Sequence, residues 1–136
     1  MSSGNKCYGY TIFALIVLMA IVGELKAQAR IGSSATDIIR EFSDKNLKWD
    51  RMNDGTKYLW CDDDRISVYY IMDEKSVCQT TYIIPNNQGV VNYYCEKFNK
   101  EAVIISDTQW KLYTNGGVLY IKLIYPESGG YLFMLY

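Results

Sequence analysis

No histidine occurs anywhere in the 136 residues. That absence removes the usual general base, the usual partner of a nucleophilic cysteine and the commonest zinc ligand. Proline is nearly missing, with 2 residues, and no low-complexity tract interrupts a chain that is 49% hydrophobic, which argues against a disordered protein. Positive charge is not in surplus: 14 basic residues stand against 15 acidic ones. A chain without a basic excess lacks the electrostatic footprint for nucleic acid or anionic lipid. A long apolar run is missing too. The longest, Ile12 to Gly23, falls short of the roughly 18 to 20 residues that span a bilayer core.

That short run has a different meaning in its context. Lys6 precedes it and Ala27-Gln28-Ala29 follows it, the order of a signal peptide with small residues at the −3 and −1 positions. The expectation is export, with residues 1–29 removed before Arg30 and a periplasmic or secreted product with no stable membrane span. The remaining 30–136 carries twelve basic and fourteen acidic residues and is one domain by length, large enough to bury its own core. No cysteine sits at the cleavage point to receive lipid. Cys7 leaves with the peptide, so Cys61, Cys78 and Cys95 remain. An odd number leaves three arrangements open: one disulfide with a free thiol, an intermolecular bond, or three thiols. If a bridge forms, Cys61 with Cys78 is the expected pair, because both lie in one meander at strand ends read as neighbours. The wide spacing of the cysteines is not a metal signature, and neither metal nor cofactor is expected.

Ser34 reads as a helix N-cap with Asp37 three residues later. Ala35, Ile38, Ile39 and Phe42 then share a face, which should pack on a sheet. Asn53-Asp54-Gly55 is a turn, and strands follow over Thr56 to Trp60, Arg65 to Met72 and Val77 to Ile84. After Pro85 to Gly89, the residues Val91, Tyr94, Cys95, Phe98 and Ala102 return to helical spacing. Val103 to Ile105 is extended, and Gln109 to Thr114, Val118 to Tyr125 and Tyr131 to Tyr136 are strands separated by glycine-containing turns. The fold class is α+β: an antiparallel sheet of about six strands with two helices on one face, from a tandem repeat of helix plus three strands over 31–85 and 86–136. The last strand is apolar on both faces, which marks it as central.

Two clusters invite a chemical reading. Asp62-Asp63-Asp64 lacks the alternating spacing and turn glycine of a calcium loop and reads as a hairpin turn. Cys95 has no histidine to activate it and lies on an inward helical stripe. An enzyme is not expected, and a small hydrolase is the remote alternative. The 13 tyrosines and 3 tryptophans carry more information. Strand alternation distributes Tyr58, Trp60, Tyr70, Tyr82, Trp110, Tyr113, Tyr120, Tyr125, Tyr131 and Phe133 over the sheet, more rings than one helix layer covers. Two readings stand level: the rings close the core, or they form a recognition face in which Trp60, Tyr113, Tyr58 and Tyr120 are the contact candidates.

The segment Ile31-Gly32-Ser33-Ser34-Ala35-Thr36-Asp37-Ile38-Ile39-Arg40-Glu41-Phe42, followed by Lys57-Tyr58-Leu59-Trp60 and a meander, resembles the beta-lactamase inhibitor protein family and the related BamE/SmpA family of small bacterial envelope proteins. The tandem arrangement is more similar to the former. The resemblance implies a role by contact, inhibiting or assembling a secreted or envelope protein, and transfers no individual residue. The expected function is therefore an exported, non-catalytic module that holds a protein on an open aromatic sheet face. The alternative is a structural envelope component whose open face is a homo-oligomer interface.

Overall fold

The computed structural model describes residues 29–136, so Lys6, Cys7 and the Ile12 to Gly23 segment lie outside the described residues. Helix α1 (Ala35–Glu41) leads into strands β1 (Lys48–Arg51), β2 (Lys57–Asp62), β3 (Ile66–Met72) and β4 (Cys78–Pro85). Helix α2 (Gln88–Glu101) leads into β5 (Val103–Ser106), β6 (Gln109–Thr114), β7 (Gly117–Ile124) and β8 (Leu132–Leu135). All eight strands form one antiparallel sheet in the order β1-β2-β3-β4-β8-β7-β6-β5. The fold is α+β, with two more strands than the six expected. Each half supplies a helix and four strands, not three, and the strand order mirrors itself about the β4–β8 pair, where Tyr82 lies opposite Met134.

Local sequence accounts for the helices. The Asp37 amide donates to Ser34 Oγ at 3.2 Å and the Val90 amide to Asn87 Oδ1 at 3.0 Å, so each N-terminus has the side-chain cap its orphan amides require. Helix α1 buries Ala35 and Ile38 against Leu59, Val68, Tyr70, Met72 and Cys78. Ile39, expected on that face, is instead exposed, since seven residues of helix cover only a narrow strip. Helix α2 buries Val90, Val91, Tyr94 and Phe98 against Ile83, Trp110, Ile121, Phe133 and Leu135. Both clusters lie on the same side of the sheet, and among the described residues the other side carries no helix.

One row of paired residues shows how the core is laid across the strands. Leu59, Tyr70, Thr81, Leu135, Ile121, Trp110 and Ile104 are successive neighbours in register from β2 to β5. All are buried except the last. Strand β8 lies between β4 and β7 at the centre of the sheet, which is why it is apolar on both faces.

Among the described residues the core includes Ala29, one residue before the predicted cut. Ala29 is 4% exposed, and its carbonyl accepts a hydrogen bond from the hydroxyl of fully buried Thr81. The side chain of Arg30 pairs with Glu41 and lies over the Phe42 ring. In the chain that retains Ala29, replacing Thr81 by valine leaves the buried Ala29 carbonyl only a 4.0 Å contact from Cys78 Sγ and should cost about 1–3 kcal/mol. Urea unfolding of the variant checks this, and an unchanged midpoint would mean that the bond contributes nothing.

Candidate functional site

Strand alternation sends a second set of side chains to the helix-free face. Across it runs the row Lys48, Trp60, Tyr69, Tyr82, Met134, Lys122 and Gln109, each opposite the next in the ladder. Its first half is aromatic. The Trp60 indole stacks on Tyr69 with centroids 6.0 Å apart and planes 10° apart, and Lys48 Nζ lies 4.9 Å from the indole on the β1 side. Tyr58 leans on Tyr69 at 5.7 Å. Partial desolvation and the Asp50 carboxylate, directly opposite on β1, raise the Tyr58 hydroxyl above its ordinary pKa. Beside these rings lies a shallow trough of about 520 Å³, floored by Tyr69, Ile71, Tyr82, Ile84 and Leu132 and rimmed by Arg51.

All four contact candidates lie on this face, but in two groups. Trp60 and Tyr58 are neighbours on β2, where Tyr69 joins them. Tyr120 on β7 stacks on Tyr136 at 5.7 Å, and Tyr113 on β6 is 64% exposed with Lys111 Nζ 5.3 Å from its ring. The Tyr113 hydroxyl, chiefly through a hydrogen bond, raises the Lys111 ammonium above its usual value. Trp60 and Tyr113 are separated by five strand spacings, about 24 Å, so they are two patches of one face. In register Trp60 corresponds to Gln109 rather than to Tyr113. The remaining rings divide. Tyr70, Trp110 and Phe133 are core, while Tyr82 is on the open face. Tyr69 was not among the candidates. Its signal was available: it alternates with Tyr70 and shares the side of Ser67.

The cysteines do not form the expected bridge. Cys61, Cys78 and Cys95 are free thiols. Cys61 pairs with Val68 and Cys78 with Met72, on opposite flanks of β3 and four residues apart along it. Two strand spacings and that rise separate their Cα atoms by about 16 Å, far beyond the roughly 7 Å limit for a disulfide. Burial raises all three thiols above their ordinary pKa, the direction opposite to that of a reactive cysteine.

Asp63 is a turn former. Its Oδ1 accepts the Arg65 and Ile66 amides at 2.8 and 3.0 Å, closing the β2–β3 turn. Those bonds, the Arg65 amide foremost, hold its carboxyl below the ordinary 3.8. A depressed carboxylate contributes stability above that value and loses it as pH falls through the folded pKa. Replacing Asp63 by alanine should therefore cost about 1 kcal/mol at neutral pH and nothing once the wild-type carboxyl is protonated. Urea titrations at pH 7 and at falling pH below 3.8 read the difference, and a cost that does not decline with pH would rule out the charge. Among the described residues no group of three or more Cys, Asp or Glu is placed to hold a metal ion, and no helix is long and apolar enough to cross a membrane.

No family model, no curated protein and no solved structure matches the chain.

Proposed function

We propose that this is an exported, non-catalytic binding module that holds a protein partner on the helix-free face of its sheet, centred on Trp60, Tyr69 and Tyr82. The observation that carries the reading is the continuous aromatic row beside the 520 Å³ trough. Rings fixed in strands lose little conformational entropy on contact, and an apolar floor bordered by Arg51, with Lys48 flanking Trp60 beside it, has the composition of an interface centre with its border. A protein fits better than a sugar. Trp60 has Lys48 on one flank and Tyr69 on the other, so neither face of the indole is free for a pyranose to stack upon. The resemblance to contact-acting envelope and inhibitor families points the same way, as does the signal-like N-terminal sequence.

Photo-crosslinking in the native envelope tests this. A benzophenone residue at Tyr82 should capture a discrete protein, and one at Ile39 on the helix side should not. The double substitution Trp60→Ala with Tyr69→Ala should weaken the captured complex by at least about 2 kcal/mol, some thirtyfold, with the fold retained. Capture from Ile39 alone would overturn the reading. Capture of a second copy from Tyr82 would make the face an oligomer interface instead.

A further inference from the structure

From the unguarded β5 edge we infer a second association surface, separate from the aromatic face: a homodimer contact in which β5 pairs antiparallel with β5 of a second copy. Among the described residues the sheet has two open edges, and they differ in kind. Strand β1 reads Lys-Trp-Asp-Arg. Three of its four residues are charged, and charged side chains along an edge strand guard it against pairing. Strand β5 reads Val-Ile-Ile-Ser, with no charge and with Val103, Ile104 and Ile105 exposed by 48, 57 and 48%.

Ile104 says what should cover it. It ends the helix-side row that runs from Leu59 through Thr81, Ile121 and Trp110, and it alone in that row is not buried. The core runs off the edge of the molecule. An antiparallel second copy with its dyad at Ile104 sets one Ile104 against the other on the side that needs covering. Directly opposed β-branched pairs are favourable, and no like charges meet. The chain already uses this contact internally, since its two halves join through antiparallel pairing of β4 with β8 about Tyr82 and Met134. Ile105 is the extra residue where the β5–β6 register shifts; such a bulge bends the strand and confines pairing to a short stretch. The dimer should accordingly be weak, in the micromolar range. Its dyad is perpendicular to the sheet, so both aromatic faces point the same way and the dimer is bivalent.

Sedimentation of the intact protein from low-micromolar to several-hundred-micromolar concentration should show a monomer–dimer equilibrium. Ile104→Lys should abolish the dimer by facing its own charge across the dyad, as should Ile104→Glu, and mixing the two should restore it. Trp49→Lys on the β1 edge should leave it unchanged. Ile104 is more than half exposed, so these variants should keep their circular dichroism. In the unmodified protein, amide exchange at Val103–Ser106 should slow as concentration rises. A monomer at all concentrations, a dimer that survives in folded Ile104→Lys, or concentration-independent exchange at β5 would each overturn the inference.

Discussion

A chain that stops at Gly130 is expected to lose cooperative folding altogether. Strand β8 is the last element in sequence but sits in the middle of the sheet, hydrogen-bonded to β4 on one side and β7 on the other. No other strand joins the two halves. The deletion removes Phe133 and Leu135, both 0% exposed, and buried side chains of this size are worth about 2–5 kcal/mol each. It also strips two ladders, so that β4 and β7 become new edges within an apolar core. Against a total stability of about 5–15 kcal/mol, that loss leaves no folded population. Circular dichroism and urea titration of the truncated chain read the outcome. A cooperative transition with native-like helix and strand signals would mean that each helix-plus-four-strand half folds on its own cluster and that β8 merely docks.

The elements legible in the sequence were those whose physics is local. Ser34 announces its helix because a cap needs only a side-chain oxygen and an amide three residues on, whereas Asn87, read as part of a turn, proves to cap the second helix in the same way. The alternation in β3 and β7, and the two apolar faces of β8, follow from burial on a pleated surface. The missing strand, β1, carries no such mark: Lys48–Arg51 is exposed throughout and exists because β2 offers it an unpaired ladder. Strand β5, read only as an extended segment, is likewise defined by its neighbour. The Cys61–Cys78 pairing failed for the same reason, since register along β3 is non-local and four residues of displacement are invisible in spacing.

The aromatic site was half legible. Tyr58 and Trp60 could be placed on one side of a strand, but whether that side met the helices depended on which residues α1 and α2 reached. Phe42 and Leu47 reach only the Leu59–Tyr70 cluster, and this leaves Tyr69 and Tyr82 to the open face while Tyr70 goes under. A single-residue alternation thus separates a core tyrosine from an open-face tyrosine within the pair Tyr69–Tyr70. Buried rings and exposed rings thus lie on opposite sides of one sheet.

That separation gives the second large effect. Phe98, at 0% exposure, packs its ring 5.8 Å from Tyr94, 5.6 Å from Trp110 and 5.3 Å from Phe133, and so fastens α2 to β6 and β8 together. Phe98→Ala should cost about 3–5 kcal/mol, because rings held from three directions by rigid strands collapse poorly into the cavity. Phe98→Leu, which keeps most of the volume, should cost about 1–1.5 kcal/mol, and Ile39→Ala on the exposed side of α1 no more than about 0.5 kcal/mol. Urea midpoints at constant slope measure all three. Because Phe98 lies beneath the sheet and Tyr82 above it, any partner captured through Tyr82 should bind the folded Phe98→Leu protein as it binds the unmodified one. A cost below about 1 kcal/mol for Phe98→Ala would show that α2 is not held by this ring. Weakened binding in Phe98→Leu would show that the two faces are not independent, and that the aromatic row owes its geometry to the core beneath it.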